Sequence, residues 1–138
     1  MKLVSVAEMK QIEKDADAAG LSYAQMMDNA GRRVAAVVRG LAYEGDAREV
    51  FGLVGPGNNG GDTLVALSHL AADGWRARAY LVRRKADPLS LRFERAGGEV
   101  ILCDQDPELS GLEAFLQTAA VVVDGVLGSV ILRALCCD

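Results

Sequence analysis

The sequence predicts an α/β fold, namely a Rossmann-like three-layer α/β/α sandwich with a mostly parallel sheet and two additional N-terminal helices. From residue 49 onward, short apolar runs alternate with amphipathic helical patterns, the order expected of right-handed βαβ units. The last run contains Val121-Val122-Val123, a β-branched series typical of a strand covered on both faces. The chain has 138 residues, a length typical of one domain, so residues 1–138 are predicted to form a single domain.

Two helices are predicted before residue 42. Each begins at a serine followed three residues later by Glu or Gln, the spacing of a capping box, and these pairs are Ser5 with Glu8 and Ser22 with Gln25. Apolar residues then recur on one face of each helix, namely Met9, Ile12, Ala16 and Ala19 in the first and Met26, Ala30, Val34, Val37, Val38 and Leu41 in the second. Gly31 lies within the second stripe and predicts close packing against another backbone.

Four strands and three helices are predicted to follow. The strands are residues 50–54, 77–82, 99–102 and 120–124, and the helices are residues 61–73, 88–96 and 107–118. Gly74 and the pair Gly97-Gly98 are expected to end the first two of these helices. Asp87 and Asp106 are the expected N-terminal caps of the last two.

The composition argues against several classes of function. With 15 Lys and Arg against 19 Asp and Glu, the formal net charge of −4 disfavours electrostatic capture of nucleic acid. Cys103, Cys136 and Cys137 have the spacing of neither a disulfide framework nor a zinc site, so we expect a reducing, cytoplasmic setting. We expect no signal peptide, and Asp124 within the apolar stretch 114–132 favours a strand and turn over a membrane span.

A glycine-rich segment after the first strand carries the main functional signal. Residues 55–63 read Gly-Pro-Gly-Asn-Asn-Gly-Gly-Asp-Thr, and the first six satisfy the G-x-G-x-x-G pattern between a strand and a helix. Glycines let a ligand approach the backbone, and the helix N-terminus offers amides to an anion. The alternative is a turn that only packs helix against sheet.

Two features distinguish this segment from an ordinary dinucleotide site. Where dehydrogenases place an acidic residue that binds the ribose, about 20 positions on, this chain has Arg83-Arg84-Lys85, which we interpret as a solvated loop rather than a phosphate clamp. Asp62 would repel a phosphate, unless it only complements the helix dipole. These features disfavour a classical NAD(P)-dependent oxidoreductase, and the absence of a lysine after the glycines excludes a P-loop.

Asp124 is the second candidate site residue. It ends the β-branched strand, which in the doubly wound order lies beside the first strand, so Asp124 is predicted to face residues 58–62 across the crevice. The alternative is an aspartate that caps a turn. Asn and Asp oxygens suit a hard cation, whereas the single histidine, His69, is predicted to be an ordinary helix-surface residue, which argues against zinc.

Three segments resemble the NAD(P)H-hydrate epimerase family, also called the YjeF N-terminal domain. They are the paired N-terminal helices, with Ala7-Glu8-Met9 and residues 26–31, the signature loop at residues 55–62, and residues 123–128. The resemblance implies epimerisation of the 6-hydroxy group of hydrated NADH and NADPH, a damaged form of the cofactor. It also implies a dehydratase as functional partner.

The resemblance further implies roles for individual residues. The residues expected to bind the hydrated nucleotide are Asn58, Asn59, Gly60, Gly61, Asp62 and Gly128, the last of which begins a second binding loop. Asn59 and Asp124 are expected to coordinate a potassium ion. Asp124 is also the candidate catalytic residue, either as a proton carrier or only as a cation ligand.

This chain departs from the family pattern at two places. Thr63 stands where the family usually has another glycine, which narrows the space at the helix start. After Gly128 the sequence no longer follows the family, so we expect a C-terminally incomplete domain with impaired activity and an exposed sheet that a second copy could cover as a homodimer. The alternative function is a non-catalytic nucleotide-binding or scaffold module of the same fold.

Overall fold

A computed structural model describes residues 5–42 and 47–126, together with the backbone of residues 131–134. The helices are α1 (Val6–Ala18), α2 (Tyr23–Leu41), α3 (Asn58–Ala72), α4 (Pro88–Arg95) and α5 (Ser110–Thr118). The strands are β1 (Glu49–Val54), β2 (Arg76–Leu81), β3 (Glu99–Leu102), β4 (Val121–Gly125) and β5 (Ile131–Ala134). None of the described helices combines the length and the apolar character needed to cross a membrane.

The five strands form one sheet in the order β3-β2-β1-β4-β5. The first four strands along the chain pair in parallel, with β4 beside β1, which confirms the predicted doubly wound order. The strand β5 was not predicted, and it pairs with β4 in the antiparallel direction. An antiparallel neighbour needs only a short connection, whereas a parallel one needs a crossover of a dozen or more residues.

One face of the sheet packs against α2 and α3 and holds the larger core. Its buried members include Val38, Val50, Val54, Leu64, Leu67, Leu70, Val121 and Val123. Gly31 confirms the predicted close approach of two helices, because a Cβ at this position would collide with Val65 and lie 3.0 Å from the Ala66 backbone nitrogen. The helix α3 therefore lies close against both the sheet and α2.

The opposite face of the sheet packs against α5 and has a polar centre. Phe51, Tyr80 and Val122 are buried there, and the Tyr80 hydroxyl donates to Asp106 at 3.0 Å. The predicted helix over residues 107–118 begins at Ser110 instead. Asp106 does not occupy the N-cap position, yet its carboxylate accepts hydrogen bonds from the first-turn amides of α5, so it satisfies them from outside the helix.

The N-terminal helices confirm their predicted caps but not all of their predicted apolar faces. Both capping boxes form, at Ser5 and at Ser22. In α2 the buried residues are Gly31, Ala35 and Val38, whereas Val37, predicted to lie in the stripe, is 47% exposed. The predicted face of α1 is also exposed at Met9 and Ile12. The reason is positional: α2 packs on α3, while α1 lies outside the layer that covers the sheet.

Candidate functional site

The first turn of α3 forms one half of the candidate site. The helix begins at Asn58, three residues before the predicted start, so residues 58–61 are helical rather than a loop. Gly57 is the N-cap and has no side chain with which to cap the helix. The first helical hydrogen bond runs from the Gly61 amide to the Gly57 carbonyl at 3.2 Å. This first turn presents the positive end of the α3 dipole, which suits an anionic ligand.

Close backbone contacts explain why this segment needs glycines. A Cβ on Gly60 would collide with the Gly55 carbonyl oxygen, and a Cβ on Gly125 would collide with the Thr63 hydroxyl and lie 2.9 Å from the Asn59 carbonyl oxygen. Thr63 is fully buried and donates to that same Asn59 oxygen at 2.8 Å. Its side chain therefore fills the space between the helix start and the end of β4, as expected for a larger residue in place of glycine.

Arg84 contradicts its interpretation as part of a solvated loop. Its side chain is only 11% exposed and donates to the carbonyl oxygens of Gly55 and Gly57. The neighbouring residues Arg83 and Lys85 are exposed, as predicted. The guanidinium finds two backbone acceptors and the Asp87 carboxylate in this position, which compensates for its burial.

A cavity of about 260 Å³ adjoins the first turn of α3 and forms the other half of the site. It lies between α1, α2 and α3 and is lined by Glu13, Tyr23, Met26, Met27, Ala30, Asn58 and Asp62. Pockets for whole drug-sized ligands measure roughly 300–1,000 Å³. This cavity is therefore of a size to hold one ring of a larger ligand, and its lining includes an aromatic ring, two thioethers and two carboxyl groups.

Asp62 is half-buried at this cavity and has an unusual proton affinity. Burial raises the pKa of Asp62 to about 6, and repulsion from the Glu13 carboxylate acts in the same direction. Near neutral pH, the carboxyl is therefore present in both protonated and ionised forms, as general acid–base catalysis requires. Because α3 begins at Asn58, Asp62 lies beyond its first turn, which disfavours the alternative that Asp62 only complements the helix dipole.

Asp124 lies at the end of β4. Its position agrees in part with both interpretations, that of a residue facing the glycine segment and that of an aspartate capping a turn. Its Oδ1 accepts a hydrogen bond from the Val126 amide at 3.0 Å, so the carboxylate does cap a turn. The Gly125 carbonyl accepts from the Gly55 amide at 3.2 Å, which brings the end of β4 against the glycine segment as the strand order predicted. The other predicted residue of this region, Gly128, lies outside the described residues.

The residues expected to hold potassium are chemically suited to it. Asn59 and Asp124 contribute amide and carboxylate groups, and hard cations prefer oxygen ligands. The Asn59 carbonyl oxygen lies beside Gly125, next to Asp124, so the two candidate ligands belong to adjoining segments. Among residues 5–42 and 47–126, no group of three or more His, Cys, Asp or Glu side chains could hold a metal ion.

His69 belongs to an ion cluster centred on Asp28. The Asp28 carboxylate accepts from His69 Nε2 at 3.0 Å, from Arg92 at 2.9 Å and from Arg32 at 2.8 Å. These partners, Arg92 foremost, hold the pKa of Asp28 well below its usual range. His69 is 22% exposed, so it is half-buried and joins α2 to α3 rather than lying on the surface as predicted.

Sequence reasoning missed two residues that shape the site, Glu13 and Tyr23, and assigned a third, Arg84, to a solvated loop. Glu13 and Tyr23 lie in the paired N-terminal helices, which were predicted from their capping boxes and apolar faces, with no site role expected for these two residues. For Arg84, an acidic residue three positions later, Asp87, was the available signal for an ordered side chain.

The sequence matches the family model described as "YjeF-related protein N-terminus" over residues 23–136. It is 33% identical over 130 residues to an NAD(P)H-hydrate epimerase from Cenarchaeum symbiosum, covering 91% of this chain and 59% of that protein. It is 34% identical to a bifunctional NAD(P)H-hydrate repair enzyme Nnr from Thermofilum pendens, covering 98% of this chain and 26% of that protein.

A similar structure has been solved for a yeast protein, ynu0 (YNL200c). The two folds superpose with a TM-score of 0.76 at 28% sequence identity, over 93% of this chain and 57% of the yeast chain. The chain thus spans rather more than half the length of the epimerase from C. symbiosum and of the yeast protein.

Proposed function

Because this chain belongs to the family of YjeF-related protein N-termini, we propose that it epimerises the 6-hydroxy group of hydrated NADH and NADPH. The names of its relatives, epimerase and NAD(P)H-hydrate repair enzyme, support the substrate class. The observation that carries the proposal is the junction at Asn58, where a helix N-terminus suited to anions meets a cavity that contains two carboxyl groups.

The two halves of the site differ in charge, and this difference favours one orientation of the nucleotide. The amides of Asn58, Asn59 and Gly60 would bind the phosphates, because they lie at the positive end of the α3 dipole. Glu13 and Asp62 would repel a phosphate from the cavity. The hydrated nicotinamide ring is uncharged and carries amide and hydroxyl donors, so the cavity suits the ring.

Within the cavity, the protonated Asp62 carboxyl is the proposed general acid. It gives its proton to the 6-hydroxyl oxygen, the C6–O bond breaks, and water leaves as the lone pair of the ring nitrogen forms a C6=N bond. The ring is then a cation beside the Asp62 and Glu13 carboxylates, which stabilise it electrostatically. Water adds to the other face of C6 and returns a proton to the carboxylate pair, which completes the epimerisation.

We propose in addition that Asn59 and Asp124 hold a potassium ion, with Asp124 as a cation ligand rather than a proton carrier. A bound cation would supply positive charge next to the nucleotide phosphates. The proposed functional partner is an NAD(P)H-hydrate dehydratase, which would consume one epimer. The bifunctional names of several relatives support a second activity that acts on the same substrate.

The test is to incubate the protein with one purified epimer of hydrated NADPH and to follow the proton at C6 by NMR, in potassium and in sodium buffer. We expect conversion to the other epimer, faster in potassium, and loss of the potassium dependence in D124N. Binding without conversion would indicate a non-catalytic nucleotide-binding module instead. If the folded protein neither binds nor converts hydrated NADPH or hydrated NADH, the proposed function is wrong.

A further inference from the structure

Arg84 connects three segments around the glycine-rich turn. Its Nη1 donates to the Gly55 carbonyl at 3.0 Å and to the Gly57 carbonyl at 3.2 Å. Its Nε and Nη2 donate to a single oxygen of Asp87, at 2.8 and 2.7 Å. The other Asp87 oxygen accepts from the Ser90 amide and caps α4. The guanidinium thus joins the start of α4 to the turn that precedes α3.

The bond to Gly57 has a geometric consequence for the ligand side of the turn. In a trans peptide, the carbonyl oxygen and the following N–H point in opposite directions. The Gly57 carbonyl shares its peptide with the Asn58 N–H. It accepts from both Arg84 and the Gly61 amide, so Arg84 reinforces the helical bond in keeping the Asn58 N–H on the opposite side. The bond to the Gly55 carbonyl orients no N–H group, because the next residue is Pro56, which has none. This bond only anchors the turn.

Two local features allow the guanidinium to approach so closely. Gly60 lacks a Cβ, and one placed there would lie 2.9 Å from Arg84 Nη1. Arg83 adopts a left-handed backbone conformation with φ of 52°, which is unfavourable for a non-glycine residue. The ion pair of Arg84 with Asp87 and its bonds to two carbonyls offset that cost.

We propose that Arg84 is a positioning residue that holds the Gly55–Gly57 turn so that the Asn58 amide faces the ligand, and that it thereby sets the affinity for the nucleotide's phosphate groups. The inference deepens the proposed function and rests on it for the identity of the ligand. Arg84 would act through the backbone, because its Nε and both Nη1 donors are engaged by Asp87, Gly55 and Gly57.

The experiment compares R84Q and R84K with R83Q, which removes the same charge from the exposed neighbour. One measurement is the NMR order parameter of the Asn58, Asn59 and Gly60 amides in the nucleotide-free protein. The other is the KM and kcat for hydrated NADPH. We expect R84Q to raise KM about tenfold, which corresponds to ~1.4 kcal/mol, because a turn that is no longer held must be ordered when the nucleotide binds. In R84Q, kcat should change little and the three amides should become more mobile.

A lysine at position 84 keeps the charge but has no fork of donors that could span two carbonyls and Asp87. R84K should therefore resemble R84Q, whereas R83Q should resemble the wild type. If R84Q does not fold, R84K decides the question. An active wild type whose KM is unchanged in the Arg84 variants would overturn the proposal and leave the function standing. If the wild type neither binds nor converts the nucleotide, the function fails, and the amide order parameters still show whether Arg84 holds the turn.

Discussion

Asp28 and Asp62 lie on neighbouring helices, in α2 and α3, and both are half-buried, yet their surroundings have opposite effects. Asp28 accepts hydrogen bonds from Arg32, His69 and Arg92, and its pKa lies well below the usual range. Asp62 faces a cavity that also contains Glu13, and its pKa is raised to about 6. The same side chain is thus held ionised at one place and left able to exchange a proton at the other.

The comparison separates a carboxylate that stabilises the fold from one that reduces its stability. The depressed pKa of Asp28 means that its contribution to stability is present above about pH 4 and lost as the pH falls through the folded-state value. The raised pKa of Asp62 has the opposite sign, so stability decreases as the pH rises from about 4 to about 6. A group that destabilises the protein in this way is a candidate for function rather than for structure.

Replacement of Asp62 by asparagine should have the largest effect. D62N keeps the shape of the side chain but cannot carry the proton, so we expect the epimerisation rate to fall by about 10²–10⁴-fold. The same change removes a half-buried carboxylate, so the free energy of unfolding at pH 7.5 should rise by about 1–2 kcal/mol. Rates come from the NMR assay and stability from urea unfolding. A variant that is fully active would remove Asp62 from the chemistry.

Replacement of Asp28 should have the opposite effects, namely lower stability and unchanged activity. D28N weakens three hydrogen bonds to potentially charged partners that join α2, α3 and α4, and we expect a loss of about 1–2 kcal/mol at pH 7 because the partners are partly exposed. This corresponds to a decrease in Tm of roughly 3–8 °C. The activity of the folded fraction should stay near that of the wild type. A selective loss of activity with unchanged Tm would contradict the structural role of this cluster.

Replacement of Glu13 should have the smallest effect. E13Q removes the repulsion that acts on Asp62, while burial, the larger cause of its raised pKa, remains. The alkaline limb of the pH–rate profile, along which the protonated form of Asp62 is lost, should therefore move to lower pH, by less than the whole displacement of the pKa from the ordinary value. The matched control is K14Q, which changes the charge of the adjacent exposed residue. An identical profile in E13Q would show that Glu13 does not act on the catalytic carboxyl.

Much of the fold followed from local patterns. The alternation of strands and helices, both capping boxes and the strand at residues 99–102 were predicted with correct positions or nearly so. The errors lie where distant contacts decide. The start of α5 depends on Asp106 reaching amides five and six residues on, and Val37 is exposed because α2 turns Gly31, Ala35 and Val38 toward its neighbours.

The candidate site was predictable in part. The glycine segment and Asp124 were found from their positions after two strands, and the strand order confirms that these segments adjoin. Glu13 and Tyr23 were not found, and Arg84 was assigned to a solvated loop, because all three residues are far from Asn58 along the chain. No local pattern reports which side of α3 such distant residues will contact.

The sequence by itself determined the order of the elements, the β1–α3 turn with its glycines and the family to which the chain belongs, because periodicity, capping and short motifs are properties of neighbouring residues. Only the tertiary structure decided the electrostatic environment of each charged side chain. Arg84 has the same chemistry as exposed Arg83, and Asp62 the same as Asp28. Burial and partners from other elements made one arginine a support of the turn and one aspartate a carboxyl that can exchange a proton.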